Sequence, residues 1–225
     1  MIRHSLLVVA LLLAAPSFAE PIKTWPFKVF LDTTEIGEHH FELMQRDAEQ
    51  EIHSRARFDL KLLFFTAYRY RHENVERWSG NCLITMNSST DDNGKQFNVQ
   101  AQQNDKLRVN ANGVKETYPS NCVMSFAYWN PELLRATQLL HPQTGKLVDV
   151  RITPAGTENL KIGNQTVPTQ RYILRGPEMR IDLWYSKAGE WLALDAPTES
   201  GRTLRYRLEK LPGCAKWPKQ QGDCT

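Results

Sequence analysis

From Ile52 to Leu62 the side chains alternate in character. Ile52, Ala56, Phe58, Leu60 and Leu62 fall on one face, and His53, Arg55, Arg57, Asp59 and Lys61 on the other. A period of two sustained over this length predicts a half-buried strand. Its charged face meets water, unlike the lipid-facing wall of an outer-membrane barrel. The alternation recurs downstream. Phe97, Val99 and Ala101 alternate with Asn98 and Gln100, and Leu107, Val109 and Ala111 with Arg108 and Asn110. Later come Val148-Val150-Ile152, Tyr172-Leu174, Met179-Ile181-Leu183-Tyr185 and Leu204-Tyr206-Leu208. Turn signals separate these runs, among them Asp92-Asn93-Gly94-Lys95, Asn112-Gly113, Gly163-Asn164 and Ser200-Gly201. Asn-Gly pairs supply the positive φ that tight hairpins need. Sequential hairpins without βαβ spacing predict an all-β fold, an antiparallel meander of about 12–14 strands.

One short helix is expected near residues 130–137. Asn130 can cap, Pro131 suits the first helical position, and Glu132 lies in the first turn. Strand twist accumulates, so a sheet of this size should curl into a barrel or half-barrel with a concave face. The helix would interrupt the meander and plug an open end.

The first residues break the pattern. Arg3 precedes an unbroken apolar run, Leu6 to Ala15, and Ser17 and Ala19 supply small residues at the −3 and −1 positions. This is the pattern of a cleaved signal peptide, residues 1–19, with cleavage after Ala19. The apolar run is too short to span about 30 Å of hydrocarbon as a helix. The residue after the cleavage point is Glu20, not the Cys that a bacterial lipid anchor requires. A soluble periplasmic protein with no membrane span after cleavage is the expectation, organised as one β domain over 20–211 and a tail over 212–225.

Charge adds little. The 28 lysines and arginines exceed the 25 acidic residues by three, and loss of Arg3 leaves a net charge of about +2. That balance gives no case for nucleic acid or a polyanionic surface. The four cysteines change the picture more. In an exported chain an even count favours disulfides. Cys214 and Cys224 bracket a short Pro/Gly/Lys-rich tail with little core of its own, so a local bridge would pin it. Cys82 would then pair with Cys122. A zinc site on all four thiolates is the alternative, but no Cys-x-x-Cys knuckle supports it.

Four constellations carry candidate chemistry. Tyr68, Tyr70 and His72 share one face of a strand, with Arg69 and Arg71 on the other; Trp78, Tyr128, Trp129 and Trp184-Tyr185 follow along the chain. On a concave face the aromatic members would make an apolar pocket with polar tips; otherwise they are cross-strand packing. Arg69, Arg71 and Arg77, with Arg171, Arg175, Arg180, Arg202, Arg205 and Arg207, could hold carboxylate or phosphate, or form a solvated face of ion pairs. His39, His40, His53, His72 and His141 lack metal-ligand spacing, although His39 or His40 could meet His53 across a hairpin. There is no Gly-x-Ser-x-Gly elbow, the serines read as turn residues, and Asp91-Asp92 reads as part of a hairpin turn. No metal, cofactor or catalytic residue is expected from these patterns.

The run Tyr68-Arg69-Tyr70-Arg71-His72, then Glu76-Arg77-Trp78 and Thr90-Asp91-Asp92-Asn93-Gly94-Lys95, resembles a family of exported bacterial proteins of unknown function. The likeness continues through Tyr128-Trp129-Asn130, Thr144-Gly145-Lys146-Leu147, Asp182-Leu183-Trp184-Tyr185 and Glu199 to Tyr206. It implies a periplasmic, β-rich domain and assigns no catalytic residue. Three functions stay open. One is a carrier for a lipid-like ligand, bound by Tyr68, Tyr70, His72, Trp78, Tyr128, Trp129 and Trp184 with Arg69 and Arg71. Another is an envelope scaffold with a protein partner. The third is an enzyme acting on a lipid-like substrate through groups such as His72, Asp91 and Tyr70.

Overall fold

The computed structural model describes residues 22–62 and 65–214. The expected leader and Cys224, one end of the expected Cys214–Cys224 bridge, lie outside the described residues. The first half is a run of hairpins: β1 (Lys23–Leu31), β2 (Thr34–Arg46), β3 (Glu49–Leu62), β4 (Phe65–Ser79), β5 (Cys82–Asp92), β6 (Lys95–Gln103), β7 (Leu107–Ala111) and β8 (Val114–Tyr118). An insertion follows, holding β9 (Met124–Ser125), β10 (Gln138–Leu140) and β11 (Leu147–Asp149). The second meander is β12 (Arg151–Ile162), β13 (Gln165–Arg175), β14 (Arg180–Ser186), β15 (Trp191–Pro197) and β16 (Thr203–Leu208), and β17 (Gly213–Cys214) ends the described chain.

Fourteen strands form one sheet in the order β12-β13-β14-β15-β16-β1-β2-β3-β4-β5-β6-β7-β8, with β17 on the start of β1. Every ladder in it is antiparallel. The two meanders are joined by β1 and β16, with Phe27 opposite Leu208 and Leu31 opposite Leu204. β8 and β12 form the two edges and do not pair, so the sheet is curled but not closed. The short strands β9, β10 and β11 make a separate small sheet in which β9 runs parallel to β10. The run Val148-Val150-Ile152 is therefore divided: β11 belongs to the small sheet and β12 to the large one.

The inward face carries the core. On β1, Trp25, Phe27, Val29 and Leu31 are buried; on β3, Ile52, Ser54, Ala56 and Phe58. The row on β3 follows the alternation of the sequence, with Ser54 as its polar break. Bulges keep the long strands in register with their curl. One lies between Val29 and Phe30 in the β1–β2 ladder, one between Leu60 and Lys61 in β3–β4, and one between Arg77 and Trp78 in β4–β5.

The expected helix is a single 3-10 turn, Pro131–Arg135. Asn130 caps it, its side chain accepting from the Glu132 amide. Ala136 is already extended at φ −69° and ψ 143°, and buried Leu133 anchors the turn. One turn is all the chain can make before β10 must begin two residues later.

Cys82 at the start of β5 is bonded to Cys122, just before β9. The bridge ties the insertion to the sheet and excludes a four-thiolate zinc site. Among the described residues no three His, Cys, Asp or Glu side chains gather as a metal site. No helix among them is long and apolar enough to cross a membrane.

Candidate functional site

The curled sheet and the insertion enclose a cavity of about 870 Å³. Strands β1 to β5 and β14 to β16 supply its walls, and Phe126 to Trp129 with His141 to Gln143 of the insertion supply its remaining side. Residues from the same end of the sheet form the rim: Glu178 between β13 and β14, Arg180 at the start of β14, Thr198 to Ser200 between β15 and β16, Leu60 and Tyr68 by the β3–β4 connection, and Asp92 at the end of β5. The opposite end is closed. Trp25, Trp78 and Trp191 are fully buried there, Trp129 packs edge-on against Trp78, and Tyr128 leans on Trp191. Tyr185 donates to the Tyr128 carbonyl at 2.8 Å and fixes the insertion over this end.

Between rim and floor the lining is mainly apolar, with Leu31, Ile36, Phe41, Ile52, Phe58, Phe126, Ile181 and Leu204. One strand differs. The inward row of β4 reads Tyr68, Tyr70, His72, Asn74 and Glu76, from rim to floor. Tyr68 and Tyr70 are half-buried, and the next three are buried. Tyr68, Tyr70, His72 and Glu76 find partners on neighbouring elements, and Asn74 bonds to Glu76 on its own strand. Tyr68 donates to Asp92 at 2.6 Å and Tyr70 to Gln143 at 3.2 Å. The Gln143 amide in turn donates to Asp92. His72 Nδ1 lies 2.8 Å from Thr90, its neighbour across the β4–β5 ladder. Burial pushes the Tyr68 and Tyr70 hydroxyls up, with the Asp92 charge adding to both, so they stay neutral donors. Burial, and secondarily His141, push the His72 imidazole down to about 4.

Glu76 sits deepest. Its carboxyl accepts from Asn74 Nδ2 at 2.8 Å, Trp78 Nε1 at 3.0 Å and Ser125 Oγ at 3.0 Å. Burial raises its pKa despite these three donors, and no cation pairs with it among the described residues.

A second polar group crosses β2, β3 and β16. His39 Nε2 lies 2.6 Å from Ser54 Oγ, and its Nδ1 3.2 Å from the Tyr206 hydroxyl. The order serine, histidine, third group resembles an acyl-transfer nucleophile and its base. The surroundings do not support that chemistry. Burial, with His72 adding, holds His39 well below its ordinary range, and Tyr206 offers no negative charge to stabilise an imidazolium. Ser54 stands in the middle of a strand paired on both sides, where backbone amides are committed to ladders rather than to an oxyanion. The group works as a hydrogen-bonded brace across the cavity wall.

The structure brings together Tyr68, Tyr70, His72, Tyr128 and Trp129 on the cavity. Trp78 stands behind the lining, fully buried, and acts on the cavity through Trp129 and Glu76. Three expected members lie elsewhere. Trp184 is on the convex face, where its indole donates to Glu158 at 2.7 Å and Arg171 and Arg207 lie over its ring. Arg71 pairs with Asp59 through two bonds at 2.8 and 2.9 Å, and Arg69 lies 3.6 Å from Asp91. All three alternate out of the inward row, as a period of two requires. Of the later-strand arginines, Arg205 and Arg207 both pair with Asp195, while Arg180 stands at the cavity rim and bonds to Asp182. His53 also points outward, bonded to Glu51 at 2.8 Å, and does not meet His39. Asp91 accepts from the Gly94 amide as a turn residue, while Asp92 faces the cavity. The serines are not confined to turns: Ser54, Ser88 and Ser125 are buried. Asn74 and Glu76 are cavity residues that the sequence does not single out, although both continue the period-two row begun by Tyr68, and His39, a candidate metal ligand by sequence, is a wall residue bonded to Ser54 instead.

A family model described as a domain of unknown function (DUF6134) matches residues 27–209. No curated protein matches the chain. Among solved structures, a beta-barrel-like protein of the domain of unknown function DUF1849 from Brucella abortus superposes with a TM-score of 0.63. The match covers 85% of this chain and 98% of that one at 9% identity. At that identity the likeness is one of fold.

Proposed function

We propose that this chain, which belongs to the DUF6134 family, is an exported binding protein that carries an apolar or amphipathic, lipid-like molecule inside its curled sheet. One observation carries the reading: a cavity of about 870 Å³, walled mainly by aliphatic and aromatic side chains and reached from one end. Small-molecule sites typically measure about 300–1,000 Å³ and combine apolar walls with a few placed polar groups. Burial of apolar ligand surface at about 25 cal/mol per Å² supplies the affinity. The leader-like residues 1–19 and Glu20 favour a soluble periplasmic location. The Cys82–Cys122 bridge fits an oxidising compartment. Exposed large apolar side chains among the described residues are Val114 and Leu211, too few and too far apart in the chain to favour an envelope scaffold.

Native mass spectrometry and organic extraction of the purified protein should recover a bound amphiphile. Leu204→Trp, which projects an indole into the cavity from β16, should abolish uptake of a hydrocarbon probe such as diphenylhexatriene while leaving the far-ultraviolet spectrum intact. Absence of both bound ligand and probe uptake in the unaltered protein would refute the proposal.

A further inference from the structure

The deep end of the cavity holds polar atoms that the fold leaves unused. Asn74 is 6% exposed, and its Oδ1 has no hydrogen-bond partner among the described residues. The same holds for Trp129 Nε1 and for Ser88 Oγ, directly opposite Asn74 in the β4–β5 ladder. Burying such atoms without partners carries their full desolvation penalty. Asn74 and the Trp78–Trp129 pair connect to one carboxyl. Asn74 Nδ2 and Trp78 Nε1 both donate to Glu76, and Trp129 packs on Trp78 with ring centres 5.5 Å apart. Asn74, Glu76 and Trp129 all line the cavity.

We propose that this floor is a head-group subsite for a neutral hydroxyl, so that an amphiphile enters polar end first and lays its apolar body toward the rim. This rests on the binding function proposed above and adds the chemistry and orientation of the ligand. A hydroxyl both donates and accepts. It satisfies Asn74 Oδ1 with its proton and Trp129 Nε1 with a lone pair. A carboxylate only accepts, which leaves Asn74 Oδ1 unpaired. It would also sit beside Glu76 with no cation at hand, since Arg180, at the rim, is the one Lys or Arg among the described lining residues. An unpaired charge buried in this way is costly. An ammonium only donates, which leaves Trp129 Nε1 unpaired. Above the floor, Phe58 and Leu60 of β3, opposite Tyr70 and Tyr68, suit a hydrocarbon body.

The test is displacement of diphenylhexatriene from the purified protein by dodecanol, dodecanoate and dodecylammonium. Dodecanol should displace the probe at about tenfold lower concentration than either charged analogue, the equivalent of one to two hydrogen bonds. In Asn74→Leu, and separately in Trp129→Phe, the advantage of dodecanol over the two charged analogues should fall to about twofold or less, read as a ratio of displacing concentrations within each variant so that a change in probe affinity cancels. Using both variants guards against a folding defect in one. Equal or tighter binding of dodecanoate or dodecylammonium overturns the subsite, as does an advantage that survives both variants. Probe binding without head-group preference overturns the subsite alone. Failure of the probe itself to bind overturns the binding function with it.

Discussion

At the scale of single residues, the wall of the cavity is held in one protonation state by burial. His72 illustrates the consequence. Its folded pKa of about 4 lies below the ordinary 6.5, so the unfolded chain takes up a proton first as pH falls. Stability is therefore lost between about pH 6.5 and pH 4, and by linkage this one group accounts for a loss on the order of 3 kcal/mol. His39, shifted the same way by burial, steepens the decline. Urea midpoints measured across this window should drop steadily in the unaltered protein and more shallowly in His72→Gln. A flat profile in the unaltered protein would contradict the burial of both rings.

At the scale of elements, long strands curl because bulges and close backbone approaches let them. Gly37 in β2 is the tightest such place. It has φ +152°, and a Cβ there would fall 1.9 Å from the carbonyl oxygen of Arg57 on β3. Gly37→Ala must push β2 and β3 apart where Gly37 faces Phe58, two residues from His39. A loss of about 3 kcal/mol in chemical denaturation is expected, at the upper end for single substitutions. The edge strands show the opposite device. β12 carries Pro154 beside a bulge, and β8 carries Lys115 and Glu116 on an exposed strand. Both features discourage pairing with other sheets.

At the scale of the whole molecule, the cavity exists because an insertion is fastened across a sheet that does not close. The Cys82–Cys122 bridge joins residues 40 apart, and loop-closure entropy assigns such a crosslink about 4 kcal/mol. Reduction, or Cys82→Ala with Cys122→Ala, should lower stability by about 2–4 kcal/mol and loosen the insertion first. Hydrogen exchange should report that order: β9 and the Pro131–Arg135 turn gain exchange before β1 to β4. Simultaneous loss of protection everywhere would show that the insertion and the sheet open as one unit.

Much of this was legible in the chain. Alternation and Asn-Gly turns specify strands and antiparallel hairpins because both depend on residues adjacent in sequence, and the wall row Tyr68, Tyr70, His72 follows from the same period. The same rule sends Arg69 and Arg71 outward. Trp184 obeys it as well: the row Ile181, Leu183, Tyr185 puts it on the other face, and its ladders to β13 and β15 set it beside Arg171 and Ala193. The pairing of β1 with β16 joins residues far apart in sequence and has no local signature. The hollow interior follows from that pairing, from the curl of the sheet and from the insertion laid across it. The sequence by itself determined the strands, their hairpins and their inward rows, because these are local. Tertiary structure alone decided that the rows enclose a space and that Asn74, Glu76 and Trp129 meet at its floor, because closure and register are set by contacts between distant strands.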